Sequence, residues 1–316
     1  MCKLVTGLLI KKCQLNSGRD NQKVSTKFRT RQDISGNKWF KLKNNLENAR
    51  QEAYETVITF GGAYSNHIAA TAAACRKNNF RSVGIIRGEE TTEINPTLME
   101  AKKNGMHLHF VSRDLYSKKN ELSFKTYLEE HFGRHYLIPE GGNNTAGVLG
   151  CTEILKKEWD YDYIFCACGT GATYAGLMAS LKPQQRLIGI SVLKGPNDLP
   201  HDTQELFNRV FSEKQNDILG NEALDRELVK NNCISNLYAF NGYARLNEDL
   251  IAFKTRFEGT YRIPLDYVYT SKLLYAVFDL MEKKKMGEQA KILVIHCGGL
   301  QGNKGFEERY HLRPSL

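Results

Sequence analysis

The chain has 316 residues, of which 41% are hydrophobic and 25% charged, a soluble globular balance that excludes a disordered chain or a collagen-like repeat. Its 44 basic and 35 acidic residues leave a net charge of +9, but the charges are scattered, and the densest clusters, residues 283–285 and 102–103, read as solvated helix faces rather than a nucleic-acid surface. No run of about 18 uncharged apolar residues occurs, so no membrane span is expected, and the apolar patch at 8–10 is cut off by Lys11 and Lys12, too short for a signal-peptide core, so a cytoplasmic protein is expected.

Residues 1–34 show no clear periodicity. Beyond them, strand and helix patterns alternate. Residues 56–60 (TVITF) predict a strand running into Gly61-Gly62, and the alanine-rich stretch 65–78 a helix. Further strands are predicted at 82–86, 107–111, 136–138, 163–167, 187–192 and 291–296. Helices are predicted at 96–104, 122–131, 147–158, 173–181, 247–257 and 271–284. The polar stretch 197–241 reads as helical, with a weak strand signal at 237–240. Strands separated by helices of this length predict a parallel α/β sheet, at roughly 100–200 residues per domain in two domains or one large one. None of the eight cysteines forms a C-x-x-C pair. Cys166 and Cys168, two apart on a predicted strand, share a face. Free, buried thiols in a reducing compartment are expected, and no metal site.

Three glycine-rich loops follow predicted strands: GGAYSNH at 61–67, GTGATYAG at 169–176 and GGLQG at 298–302. In open α/β sheets ligands bind beyond the carboxyl ends of the strands. The middle loop is the best anion cradle: glycines turn backbone N–H groups inward, threonines add hydroxyl donors, and a helix start follows. A purely structural turn would also use these glycines. No Gly-Lys-Ser/Thr follows, so it is not a Walker loop. The spacing of Gly169, Gly171 and Gly176 is two residues too long for a dinucleotide fingerprint, which disfavours an oxidoreductase. A fourth motif is SGNKWFK at 35–41, in which Lys38 follows a Ser-Gly-Asn turn. A lysine held in a partly apolar pocket loses pKa and becomes available for Schiff-base chemistry, although by itself Lys38 also fits a plain surface lysine.

These motifs, with VYTSK at 268–272 and HCGGLQG at 296–302, appear in an order that resembles the 1-aminocyclopropane-1-carboxylate deaminase / D-cysteine desulfhydrase family, from about Ser35 to Gly302. The resemblance implies a pyridoxal-phosphate enzyme of fold type II: a two-domain, three-layer α/β/α, tryptophan-synthase-β-like architecture. Residues 1–43 and 148–316 would form the large cofactor domain and 44–147 a small α/β domain. By the same resemblance Lys38 bonds the cofactor and moves the α-proton, Asn66 holds its phenolic oxygen, and Ser65 lies by the substrate carboxylate. Gly169, Thr170, Gly171, Ala172 and Thr173 cradle the phosphate, with Lys41 helping to neutralise it. Tyr243 and Tyr269 line the substrate side, although each could equally be a core aromatic. Thr270 faces the pyridine nitrogen.

Thr270 stands where the deaminases carry glutamate, and His67 where they carry glutamine. A threonine lacks the negative charge that keeps the ring nitrogen protonated. A weaker electron sink suits expulsion of a β-leaving group as the α-proton departs. The expected activity is therefore β-elimination on a small D-amino acid, D-cysteine to pyruvate, ammonia and sulfide, in a homodimer. The alternatives are cyclopropane-ring deamination, amino-acid racemisation, or a non-catalytic member that binds the cofactor or another ligand. The family's usual acidic strand upstream of the lysine loop is poorly matched by residues 27–29 and Asp33.

Overall fold

The computed structural model describes residues 8–12, 22–26, 36–90, 94–195, 198–212, 218, 232–245, 247–287 and 289–312. Strands β1 (Leu8–Lys12) and β2 (Gln22–Thr26) form an antiparallel pair within the stretch where periodicity predicted nothing. Helix α1 (Lys38–Gln51) follows. Next come β3 (Thr56–Gly62), α2 (Asn66–Lys77), β4 (Arg81–Arg87), α3 (Pro96–Lys103), β5 (Met106–Val111), the short α4 (Arg113–Ser117), α5 (Leu122–Phe132) and β6 (Tyr136–Ile138). A single 3-10 turn at Glu140–Gly142 leads into α6 (Thr145–Cys151). The chain continues through β7 (Tyr163–Cys168), α7 (Ala172–Met178), β8 (Arg186–Ser191), α8 (Leu199–Val210) and β9 (Cys233–Ser235). It ends with α9 (Glu248–Tyr261), α10 (Thr270–Glu282), β10 (Lys291–Ile295) and α11 (Gln301–Tyr310).

Among the described residues the strands form two sheets. One has four parallel strands in the order β5-β4-β3-β6, the other six in the order β2-β1-β10-β7-β8-β9. In the larger sheet β10, β7, β8 and β9 are parallel, and β1 adds antiparallel to β10. Strand β7 is buried at every position because helices cover both of its faces. Tyr163, Phe165 and Ala167 pack with Phe253, Leu273 and Val277 of α9 and α10. Their alternates, Ile164, Cys166 and Cys168, pack with Val148, Ala175 and Phe207 of α6, α7 and α8. That period-two split creates the three layers. The small sheet repeats it: Val57 faces α1 and α2, while Ile58 and Phe60 face α5.

Where local pattern and structure part, the reason is local chemistry. The helix expected over 147–158 ends at Cys151, where Thr152 Oγ1 donates to the Leu149 carbonyl at 2.8 Å. Such a side-chain bond competes with continuation of the helix. The strand signal at 237–240 is displaced to β9, where Cys233, Ile234 and Ser235 are buried. The six cysteines among the described residues are free and buried, and the Cys166 and Cys168 sulfurs lie 3.9 Å apart on one face. Among the described residues no helix is long and apolar enough to cross a membrane. Ser35, Asp33, residues 27–29, Cys2 and Cys13 lie outside the described residues.

Candidate active site

The carboxyl ends of β3, β7 and β10 open on one cavity of about 560 Å³, within the size range of small-molecule sites. Each contributes a motif. After β3, Ser65 caps α2 by accepting from Ile68 N at 3.3 Å, which places Asn66 and His67 in the first turn. After β7, Gly171 takes φ +82° to start α7, and a Cβ there would run into Thr203. After β10, the Cys297 carbonyl packs on Gly36, which has φ +67° and no room for a Cβ. That close approach seats the Gly-Asn turn against the strand end and starts α1 with Lys38 inside the cavity.

The lysine floor is built by neighbours. Lys38 Nζ donates to Asn37 Oδ1 at 2.9 Å, and Asn37 Nδ2 donates to Thr173 Oγ1 at 2.7 Å, tying the lysine turn to the glycine loop. Burial lowers the Lys38 pKa, partly opposed by the Cys297 and Asp266 groups. Lys41 Nζ donates to the Gly141 carbonyl at 2.9 Å; burial, then the charge on Lys38, pushes its pKa down to about 8. The Tyr269 ring lies 5.6 Å from Lys38 Nζ, and burial holds its phenol well above the usual range, so it keeps its proton. Tyr243 packs edge-on against Tyr269, ring centroids 6.0 Å apart, at the more exposed mouth.

His67 has a defined tautomer. The Thr59 hydroxyl spends its proton on the Ile138 carbonyl at 2.8 Å, so its 2.9 Å contact with His67 Nε2 is donated by the ring. Nδ1 is then a buried acceptor with no partner. Burial, with the Lys41 and Lys38 charges, pushes His67 down to about 3, so the ring is neutral.

The residues present fit a phosphate-bearing aldehyde. Thr170 Oγ1 is buried without a partner beside the left-handed Gly171. The loop N–H groups, that hydroxyl and the Lys41 ammonium make an anion-binding donor set, while Lys38 offers an amine. Asn66 Oδ1 is occupied by Gln301 Nε2 at 3.0 Å, which leaves the Asn66 amide N–H group to donate.

The cavity brings together Lys38, Lys41, Ser65, Asn66, Gly169, Thr170, Gly171, Thr173, Tyr243 and Tyr269. Two expected site residues do not line it. Ala172 is buried behind the loop. Thr270 is fully buried, and its hydroxyl donates to Asp266 Oδ2 at 2.6 Å. Asp266 also accepts from the backbone N–H groups of Val268, Tyr269 and Thr270, which caps α10. The motif reading passed over Asn37, Cys297, the Gly141 carbonyl and the arginines Arg87, Arg113, Arg245 and Arg309, all of them cavity-lining. Asn37 and Cys297 sit inside quoted motifs and could have been found there. The arginines carry no signal in local spacing.

Fold and site together define an α/β cofactor enzyme of fold type II, with its ligand at the carboxyl ends of parallel strands. The family model described as pyridoxal-phosphate dependent enzyme matches residues 10–298, and the chain belongs to that family. It is 29% identical over 298 residues to a mitochondrial bifunctional D-cysteine desulfhydrase/1-aminocyclopropane-1-carboxylate deaminase of Arabidopsis thaliana, covering 86% of this chain and 71% of that one. It is 28% identical over 283 residues to a D-cysteine desulfhydrase of Klebsiella pneumoniae, covering 84% and 83%. Among solved structures, a 1-aminocyclopropane-1-carboxylate deaminase homologue superposes with a TM-score of 0.72 at 26% identity, covering 87% and 83%.

Proposed function

We propose that the chain is a lyase that removes a β-leaving group from a small D-amino acid, D-cysteine first, releasing pyruvate, ammonia and sulfide. Bound pyridoxal phosphate supplies an electron sink conjugated to the substrate α-carbon. The chain's own residues do the rest. Loop 169–173 and Lys41 hold the phosphate through N–H groups, the Thr170 hydroxyl and one positive charge. Asn66 donates its free amide N–H to the cofactor's phenolic oxygen. Lys38 carries the covalent attachment and, once released, takes the α-proton; its lowered pKa makes the free amine accessible. The Ser65 hydroxyl accepts from Ile68 N and still has its proton to donate to the substrate carboxylate. Tyr269 and Tyr243 close the opposite side and exclude water.

One observation carries elimination over the alternatives. Among the described residues Glu140 is the only acid lining the cavity, and it pairs with Lys119 at 3.5 Å. No lining carboxylate is left to protonate the ring nitrogen, so the sink is weak and early departure of the leaving group is favoured. A second reading, ring-opening deamination or racemisation, draws support from Asp266, whose carboxylate stands one hydrogen bond behind Thr270. Its field would strengthen the sink. We also propose a cytoplasmic homodimer, with residues 1–43 and 148–316 as one domain and 44–147 as the other.

The test is the visible spectrum of the purified protein with pyridoxal phosphate. A band that vanishes in Lys38→Ala, with pyruvate and sulfide formed from D-cysteine, is the expected result. Ammonia and 2-oxobutanoate from the cyclopropane amino acid, without turnover of D-cysteine, would install the second reading. A band with no turnover on any D- or L-amino acid would leave a non-catalytic binder.

A further inference from the structure

We infer that the preferred substrate of this cavity carries a second anionic group besides its α-carboxylate, with D-cysteine turned over less efficiently by the same β-elimination. This rests on the cavity being the amino-acid site proposed above. Four arginines line its outer part: Arg87 at the end of β4, Arg113 at the start of α4, Arg245 in the loop before α9, and Arg309 in the last turn of α11. All four are exposed, and among the described residues none makes an ion pair. Arg87 lies 5.7 Å from the Tyr116 ring centroid and Arg309 5.2 Å from that of Tyr310, contacts that leave their charge uncompensated. The one acid in the lining, Glu140, is shared with Lys119.

The inner cations are accounted for. Lys38 is consumed by covalent attachment and Lys41 by the phosphate, while the Ser65 hydroxyl and the backbone N–H groups at the start of α2 suffice for one carboxylate. Four further guanidinium groups at one opening exceed what D-cysteine can use. Like charges held at one cavity mouth repel, and an entering anion relieves that cost. Guanidinium is the side chain that grips carboxylate, sulfonate or phosphate oxygens in pairs. Placement adds a second consequence. Arg87 and Arg113 belong to the four-stranded sheet's side, Arg245 lies in the loop that follows β9 of the six-stranded sheet, and Arg309 is on α11, which follows β10 but packs against α3. A doubly charged substrate can therefore bridge the two sides.

The substrate class is a β-substituted alanine whose substituent X bears carboxylate, sulfonate or phosphate. In its elimination the α C–H bond breaks, with the proton going to Lys38, and the Cβ–X bond breaks, with X leaving as its anion with the electron pair. The remaining three-carbon enamine takes up one water and yields pyruvate and ammonia.

Two measurements test this. First, the holoenzyme is titrated with D-aspartate and D-alanine, neither of which carries a β-leaving group, and binding is followed by cofactor absorbance. At least tenfold tighter binding of D-aspartate is expected, with the ratio shrinking as NaCl rises from 20 to about 500 mM and falling at least tenfold in Arg245→Gln/Arg309→Gln. Equal affinities, or a ratio that ignores both salt and the substitutions, would overturn the inference, whatever reaction the enzyme performs. Second, pyruvate release is compared for D-cysteine and O-phospho-D-serine. Higher kcat/KM for the phosphorylated substrate is expected. Turnover of D-cysteine with none of the phosphoserine, alongside equal binding in the first measurement, would leave the lyase reading standing and this inference refuted. Tight D-aspartate binding with no pyruvate from either substrate would refute the lyase reading instead.

Discussion

At the residue scale, His67 shows how a buried polar group links stability to pH. Its ring is neutral in the fold, with a pKa near 3 against an ordinary value of 6.5. The unfolded chain therefore binds the extra proton first as pH falls. The native state loses stability progressively between pH 6.5 and 3, on the order of 4 kcal/mol at the acid end. Replacing His67 by glutamine removes the titrating ring. We expect His67→Gln to flatten that acid limb of the unfolding free energy measured by denaturant titration, while leaving its neutral-pH value within about 1 kcal/mol; an unchanged limb would show that His67 is not its source. Gly171 makes a different point. Its positive φ and the absence of space beside Thr203 mean that Gly171→Ala must move the cradle. Backbone strain of about 1–3 kcal/mol predicts a 10- to 100-fold loss of pyridoxal-phosphate affinity, read by absorbance titration.

At the element scale, Lys272 is buried in the first turn of α10. Its ammonium donates to the carbonyls of Val192, Ala239 and Gly242 at 3.2, 2.8 and 2.7 Å. Burial lowers it to about 8, so it still holds its proton at neutral pH. These bonds fasten the end of β8 and the loop that carries Tyr243 to the helix that starts beside Tyr269. Lys272→Met keeps the volume and removes every donor. Leaving buried carbonyls unpaired costs about 1–3 kcal/mol for each group. We expect Lys272→Met to lower the unfolding free energy by at least about 3 kcal/mol in urea, with an unchanged m-value. A loss below about 1 kcal/mol would mean that water replaces the ammonium. Asp266 plays the matching part for the same helix, since its carboxylate collects the first N–H groups and holds Tyr269 in register.

At the scale of the whole molecule, the cavity lies where loops from both sheets meet, so a ligand there touches both halves. A ligand that binds only the folded chain stabilises it by RT ln(1 + [L]/Kd), about 2.7 kcal/mol at a hundredfold excess over Kd. Saturation with pyridoxal phosphate should therefore raise Tm by several degrees. Lys38→Ala should lose part of that gain and Gly171→Ala more of it. A Tm indifferent to the cofactor would mean that the two halves are not joined through this site. The proposed homodimer is checked by sedimentation velocity, which should show twice the 35.9 kDa chain mass.

The alternation of apolar β runs with helical stretches was enough to establish a parallel α/β chain, because period-two and 3.6-residue patterns follow directly from which faces are buried. The glycine loops and the Lys38 motif were legible for the same reason: their chemistry depends on neighbours in sequence. Other features depend on residues far apart in the chain and have no local trace. Strands β1 and β2 lack a periodic signature, and only pairing with β10 gives them a place. The Asp266 carboxylate behind Thr270 is invisible in the VYTSK motif, yet it changes the electrostatics of that position. The tautomer of His67 is decided by Thr59 and Ile138, and the cationic mouth by Arg87, Arg113, Arg245 and Arg309, residues that folding alone brings to one opening. Sequence determined which groups the chain carries and which elements they start; tertiary packing decided which charges and hydrogen bonds those groups meet, because burial and close approach set both.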